Sequence, residues 1–176
     1  MIDLGVAVAV FEGAMVLLAK REDSDVWCLP GGAVEDGETV AEAAVREAKE
    51  ESGLDVRLER LIGTYSRPSW SSHQVVFLAR LIGGMPRLQE GETTGVEFFE
   101  LRALPPIVPW HHKPLEDAVH GVGGSAAWKL DWIWPFPPGL TRREIYEIRY
   151  RSGLSRKVFF DQQFCRLGPN GEKREV

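Results

Sequence analysis

The sequence predicts an α/β fold, a mixed sheet between helical layers, followed by a small helical C-terminal appendage. Three observations carry this. Apolar and β-branched segments come in the order strands, helix, strands, helix, which layers a sheet between helices. The composition, 44% hydrophobic and 27% charged over 176 residues, is that of one globular domain with a core of its own. Charge also changes sign along the chain. Residues 1–138 hold 12 Lys and Arg against 21 Asp and Glu, whereas residues 139–176 hold 9 against 5, within a total of −5.

From Leu4 to Phe11 the residues are small and β-branched, Glu12-Gly13 offers a turn, and Met15 to Ala19 is a second apolar run, which together read as a β-hairpin. Val26 to Leu29 is a short apolar piece that ends at Pro30-Gly31-Gly32. There the proline stops the ladder and the glycines permit a sharp turn. Thr39 to Glu51 is built from strong helix formers, with Thr39 as cap and Gly53 placed to end the helix. Ala41, Ala44, Val45 and Ala48 fall on one face, small enough to press close to a sheet. Leu54 to Tyr65, His73 to Leu81 and Val96 to Phe99 continue as strands, and Leu115 to Val119 follows as a second helix. Trp132 to Pro138 holds three prolines and two tryptophans and reads as a linker packed on the body. Thr141 to Tyr150 and Leu154 to Phe164 are then two short helices joined at Ser152-Gly153. The expected division is a domain over residues 1–125 and a Pro/Trp-rich linker with a basic helical extension over residues 126–176.

Cys28 and Cys165 fit neither a zinc pattern nor a disulfide framework, which points to a reducing, cytoplasmic setting. The run Val6 to Phe11 follows Asp3 rather than a basic residue and is cut short at Glu12-Gly13, so neither signal peptide nor membrane anchor is expected. In the extension Arg142, Arg143, Arg149, Arg151, Arg156 and Lys157 interleave with Ile145, Tyr146, Ile148 and Phe159. Such an amphipathic stripe is expected to dock on the domain or on a second subunit of a homodimer. Glu147 to Phe164 weakly resembles two helices of a helix-turn-helix, without a third before Gly168-Pro169-Asn170-Gly171. With a modest positive field on an acidic body, this argues against a nucleic-acid partner.

Glu47, Glu50 and Glu51 stand at i, i+3 and i+4 of the predicted helix, within reach of one small cation. An acidic stripe is ordinarily solvated surface. Three like charges at this spacing repel by roughly 0.2–0.5 kcal/mol per pair, and either water or a divalent metal relieves them, magnesium or manganese where all donors are oxygen. The surrounding spacing decides between the two. Gly32, Glu38, Arg46, Glu47, Ala48, Glu50, Glu51, Gly53 and Leu54 fit G-x5-E-x7-R-E-U-x-E-E-x-G-U at every position, with U apolar. This 23-residue stretch resembles the signature box of the Nudix hydrolases, and the similarity extends more loosely to Trp27–Gly31 before it and Glu97–Leu101 after it.

The resemblance implies an α/β/α sandwich in which the box forms loop, helix and loop. It also implies metal-assisted attack of water on the pyrophosphate bond of a nucleoside diphosphate linked to another group. By the same resemblance Glu47, Glu50 and Glu51 are metal ligands, with the Gly32 carbonyl as a further oxygen. Arg46 orients Glu47, and Glu50 is the leading general base, with Glu92 and Glu97 as candidates outside the box. Glu38 is expected to favour the helix start. Residues outside the box choose the substrate. Tyr65, Arg67, Trp70 and His73 offer aromatic surface for a base and a cation for phosphate, although core packing accounts equally well for Tyr65 and Trp70. His111 and His112 offer imidazoles near a pocket, or a polar cap. ADP-ribose or another nucleotide sugar is favoured over a nucleoside triphosphate. The alternative is a Nudix-fold module that senses nucleotides and reads a partner with its tail; the intact glutamates favour catalysis.

Overall fold

A computed structural model describes residues 3–121, 126–165 and 171–175. The predicted hairpin forms from β1 (Asp3–Glu12) and β2 (Met15–Arg21), but the two strands pair only at Phe11–Val16 and Glu12–Met15 and then splay apart. One edge of β2 is covered along its length by β6 (Thr93–Glu100), while the other holds β1 at one end and β3 (Trp27–Cys28) at the opposite end. The opening is filled by the turn after β3. Val8 N–H donates to the Pro30 carbonyl and Val6 N–H to the Gly32 carbonyl, both at 2.8 Å, and Val34 N–H returns to Leu4 at 3.0 Å. These bonds satisfy the exposed backbone of β1 and pin the Gly31-Gly32 turn beside the sheet.

The far edge of β1 pairs in parallel with β5 (Ser72–Gly84), which is antiparallel to β4 (Leu54–Arg67). β4 in turn is parallel to β7 (Ala126–Leu130), and β8 (Glu172–Arg174) closes that side antiparallel to β7. The sheet is therefore mixed, and it continues past residue 125 into the stretch expected to be linker. The strands around the β4–β5 connection are also longer than expected. The chain reverses within a short 3-10 turn, Pro68–Trp70, and Ser71 at a φ of 51°, so Ser66, Arg67 and Ser72, which lie between the two expected strands, are paired strand residues.

Both faces of β1 are buried, as expected for a strand with parallel pairing. Val6, Val8 and Val10 face α1 (Val40–Ser52), which presents Ala43, Ala44 and Ala48, while Ala7 and Ala9 face a second core with Ile62, Val76, Leu115 and Trp132. Leu115 comes from α2 (His112–Val119), so helices flank the sheet on both sides. Thr39 and Glu42 form a reciprocal capping box at the start of α1, worth about 1 kcal/mol, and Gly53 ends the helix at a φ of 74°. The buried face of α1 differs from the one expected. Ala43, Ala44, Glu47, Ala48 and Glu51 face inward, whereas Ala41 is exposed and Val45 is 40% exposed. The helix is rotated so that two of its glutamates, and not its valine, reach the turn at Gly31-Gly32.

The extension forms α3 (Arg142–Ser152), α4 (Arg156–Phe160) and a final π-type turn over Asp161–Cys165. It docks on the domain by an aromatic cluster. Phe136 stacks on Phe159 at 6.1 Å, Phe160 and Phe164 each lie 5.9 Å from Trp110, and Phe164 lies 5.7 Å from Trp70. Its apolar stripe is only partly used: Phe159 is buried, Ile145 and Tyr146 are half-buried, and Ile148 is exposed. Gly168-Pro169-Asn170 lie outside the described residues. Among the described residues no helix is long and apolar enough to cross a membrane.

Candidate active site

The box folds into the turn, α1 and the first residues of β4. Glu51 Oε2 accepts the Gly31 N–H at 2.9 Å. The Glu47 carboxylate lies over Gly32, so closely that a Cβ there would stand 2.4 Å from Oε1; a Cβ on Gly31 would stand 2.1 Å from the Val6 carbonyl oxygen. Gly31 is thus required by the backbone of β1, while Gly32 leaves room for the Glu47 carboxylate. The Gly32 carbonyl is engaged by Val6, which leaves one lone pair open.

Arg46 ties the loop to the helix. Its Nε and Nη2 donate to Glu38 at 3.1 and 2.6 Å, Nη2 also to the Ala33 carbonyl at 3.0 Å, and Nη1 to Glu47 Oε1 and Glu50 Oε2, both at 2.9 Å. Glu38 therefore serves Arg46 and the Glu35 N–H, not the helix start alone. The three glutamates do not share one side. Glu47 and Glu51, four apart, are buried, whereas the Glu50 side chain is 45% exposed and turned to the guanidinium. Among the described residues no three His, Cys, Asp or Glu side chains converge as a ready ligand set. The guanidinium is the countercharge at hand, and Glu50 follows it.

Burial raises the carboxyl of Glu47, against the hydrogen bond and charge of Arg46. Burial likewise pushes Glu51 up to about 7, against the Gly31 N–H and Arg21 and with the charges of Glu47 and Glu92 adding to the rise. Glu92 thus acts on both buried glutamates. For both acids burial outweighs the positive charge that Arg46 and Arg21 supply. Two buried carboxylates, a carbonyl lone pair and no nitrogen or sulfur donors make a set that fits a hard divalent cation.

Beside the turn opens a cavity of about 380 Å³, which Gly31 and Gly32 line together with Arg21, Arg67, Trp70, Gln74, Trp110 and His111. The extension completes it with Trp134 and Arg142. The sequence candidates Arg67 and Trp70 are therefore in the wall. Tyr65 is not: it is 1% exposed in the core, and its hydroxyl donates to Asp117 Oδ2 at 2.8 Å. Tyr65 has the same strand parity as Arg67 but lies further from the end of β4, sealed against α2, and so does not line this cavity. His73 bonds Ser66 at 2.9 Å and lies outside the cavity wall. His111 is in that wall and His112 is not. Arg21, Gln74, Trp134 and Arg142 were missed. For Gln74 a signal existed, because Ser72, Gln74 and Val76 share one parity of β5 with a buried valine.

A buried acidic pair against a glycine turn that lines a basic cavity, in a mixed sheet between helices, fits a hydrolase of phosphoric anhydrides of the Nudix class. Residues 1–118 match the family model of the NUDIX domain, and the chain belongs to the Nudix hydrolase family, whose members generally use divalent metal ions. It is similar to the ADP-ribose pyrophosphatase of Methanocaldococcus jannaschii, 39% identical over 117 residues, 62% of this chain and 68% of that protein. The 8-oxo-dGDP phosphatase of Homo sapiens is 45% identical over 86 residues, 46% of this chain and 26% of that protein. Among solved structures, an ADP-ribose pyrophosphatase from Streptococcus suis superposes with a TM-score of 0.62 at 30% identity, covering 69% of this chain and 92% of that one. The extension lies beyond the family match.

Proposed function

We propose that this pyrophosphohydrolase cleaves the pyrophosphate bond of a nucleoside diphosphate linked to another group, ADP-ribose or a related nucleotide sugar, with magnesium or manganese. One observation carries the reading: the buried pair Glu47 and Glu51, held against the Gly31-Gly32 turn, which also lines a basic cavity. Glu47 and Glu51 would hold the metal, with Glu50 and the open lone pair of the Gly32 carbonyl as further donors. When bound, the ion neutralises phosphate oxygens and brings water toward hydroxide. Arg46 fixes the rotamer of Glu47 by its 2.9 Å hydrogen bond. Glu50, the more exposed of the three, would leave its pair with Arg46 to accept the proton of the attacking water. Arg67 and Trp70 face the substrate. The names of the M. jannaschii and S. suis relatives support the nucleotide-sugar class. The free thiols Cys28 and Cys165 support a reducing, cytoplasmic setting.

The test is product release from ADP-ribose, other nucleotide sugars, dinucleoside polyphosphates and nucleoside triphosphates, with magnesium, with manganese or with chelator. Cleavage should vanish with chelator and fall by orders of magnitude in Glu51→Gln. Cleavage that persists without metal would overturn the assignment.

A further inference from the structure

Arg67 is 7% exposed, near the end of β4, in the wall of the cavity. Its Nη2 donates to Ser72 Oγ at 2.9 Å, and its guanidinium carbon lies 5.1 Å from the ring centre of Trp70 and 5.4 Å from that of Trp110. Nε and Nη1 are buried and have no partner among the described residues. Nor does any carboxylate there come within ion-pair distance; Asp3, at the exposed start of β1, acts on it only from further away. Burial lowers its pKa to about 10, so it is a cation at neutral pH. Arg21, which also reaches the cavity, is answered by Asp23 at 2.9 and 2.5 Å. Among the described residues no carboxylate pairs with Arg67, and a buried cation with two idle donors is costly unless a ligand pairs with it.

Its neighbour in the wall is Gln74, 9% exposed, whose amide meets His111 Nε2 at 3.3 Å. The Leu29 N–H donates to His111 Nδ1 at 3.0 Å, so Nδ1 carries the lone pair. Burial, with the positive charges of Arg67 and Arg21 beside it, holds the His111 pKa well below 6.5, so the ring is neutral and its proton sits on Nε2. A donor at Nε2 requires the amide oxygen opposite it. As placed, Gln74 Nε2 faces His111 Nε2 and Gln74 Oε1 is the buried atom without a partner; turning the amide over sets Oε1 on the ring N–H and leaves the NH2 group at the idle position. The Trp70 indole N–H, in the same wall, also lacks an acceptor. With the amide so turned, Arg67, Gln74 and Trp70 each present an idle donor to the cavity, and Asp3 at its exposed rim is the one carboxylate among the described residues that line it.

We infer that Arg67 and Gln74 form a subsite for an anionic group bearing only hydrogen-bond acceptors, a phosphate or a carboxylate carried by the substrate. Such a group meets the guanidinium fork and the amide at once, whereas a hydroxyl or an amide edge brings donors against donors. The inference rests on the hydrolase reading only for which molecule carries the anion.

The full chain, with chelator present and ionic strength held constant with chloride, is titrated with inorganic phosphate and, separately, with acetate. Tryptophan fluorescence reports on Trp70 and Trp110. A saturable change is expected with at least one anion, phosphate alone marking the phosphate class and acetate alone the carboxylate class. Arg67→Met and Gln74→Leu should each weaken it by about tenfold or more, the loss of one charge-assisted hydrogen bond. Gln74→Glu places a carboxylate beside Arg67; it should raise the melting temperature and abolish anion binding, and it remains informative if Arg67→Met fails to fold. No saturation with either anion in the wild type, or unchanged affinity in folded Gln74→Leu and Gln74→Glu, would overturn the subsite. Glu51→Gln should keep anion binding while losing hydrolysis. A chain that binds the anion and cleaves no substrate would keep the subsite and sink the hydrolase reading.

Discussion

Replacing Asp23 by alanine is expected to destabilise the chain by about 3 kcal/mol and to loosen the extension over the cavity. Asp23 accepts from Arg21 Nε and Nη2 at 2.9 and 2.5 Å, from Arg142 Nη2 at 3.1 Å and from the Tyr146 hydroxyl at 3.1 Å. Its side chain is 18% exposed and that of Arg21 35%, so the substitution leaves a largely covered guanidinium without its partner. Breaking a fully buried pair costs about 3–5 kcal/mol; with a third of Arg21 in water, about 2 kcal/mol is the share expected here. Arg142 is 64% exposed, so its pair falls in the range of roughly 0.2–1 kcal/mol, and the tyrosine bond adds about 1 kcal/mol. The backbone carbonyl of Asp23 keeps its bond from Arg149, so docking weakens without being abolished. Urea unfolding at neutral pH measures the total, and double-mutant cycles divide it: coupling of about 2 kcal/mol with Arg21→Met and under about 1 kcal/mol with Arg142→Met. The pH dependence is a further check. Burial alone would raise the Asp23 carboxyl, but the hydrogen bond and charge of Arg21, then Arg142, hold it well below the usual 3.8. Between 3.8 and that lowered value the unfolded chain binds the extra proton, so the contribution is present above pH 3.8 and lost below it. Wild type and variant should converge in acid. A cost below about 1 kcal/mol at neutral pH, or a difference that persists in acid, would refute this account.

Gly32→Ala should leave the fold intact but push the Glu47 carboxylate off its place, since the new Cβ would stand 2.4 Å from Oε1, with turnover falling about 100-fold in a steady-state assay. Tyr65→Phe should cost about 1–2 kcal/mol by depriving buried Asp117 of a donor, while kcat and KM stay unchanged; a kinetic defect would return Tyr65 to the site. Because His111 is held neutral, the unfolded chain gains a proton below pH 6.5 that the native one does not, so stability should fall by up to ~1.4 kcal/mol per pH unit there. His111→Gln should flatten that slope in urea midpoints taken across pH. Deletion of residues 139–176 uncovers the faces that bury Phe159 and Phe160 and should lower the melting temperature; unchanged stability would make the extension a tail free for a partner.

Much of the fold was legible because it is written locally. The Thr39 cap, the Gly53 stop and the β1–β2 turn each depend on residues within a few positions of one another, and each forms. The failures are of longer range. β7 has only Ala126-Ala127-Trp128-Lys129-Leu130, with little β-branched character, and it is a strand because β4 offers an open parallel edge. Between the expected strands, which stop at Tyr65 and restart at His73, Pro68-Ser69-Trp70 and Ser71 suffice for the reversal, and the strands on either side continue to meet them. Which face of α1 points inward was also undecided by its own sequence. The alanine stripe allows two rotations, and the turn at Gly31-Gly32 selects the one that brings Glu47 and Glu51 to it.

The site divides along the same line. Its acidic half lies within one short box, where spacing on a helix translates directly into a place in space, so Glu47, Glu51 and Arg46 could be named from the sequence. Its basic half is assembled from β2, β4, β5, the turn before α2 and the extension, and no spacing relates Arg21 to Arg67, or Leu29 to the His111 nitrogen it meets 82 residues later. What remains readable in such a half is parity. Along β5, buried Ser72, Gln74 and Val76 alternate with half-buried His73, Val75 and Phe77, and a glutamine in a buried register needs a partner. Along β4, Tyr65 and Arg67 share parity with each other but part at the strand's end, one sealed by Asp117 and the other opening on the cavity. Two residues of similar promise in the sequence thus take opposite roles because only the end of a strand reaches the crevice. That is the place where a sheet of this kind offers its ligand to side chains, and it puts the guanidinium of Arg67 within the same cavity as the acidic turn.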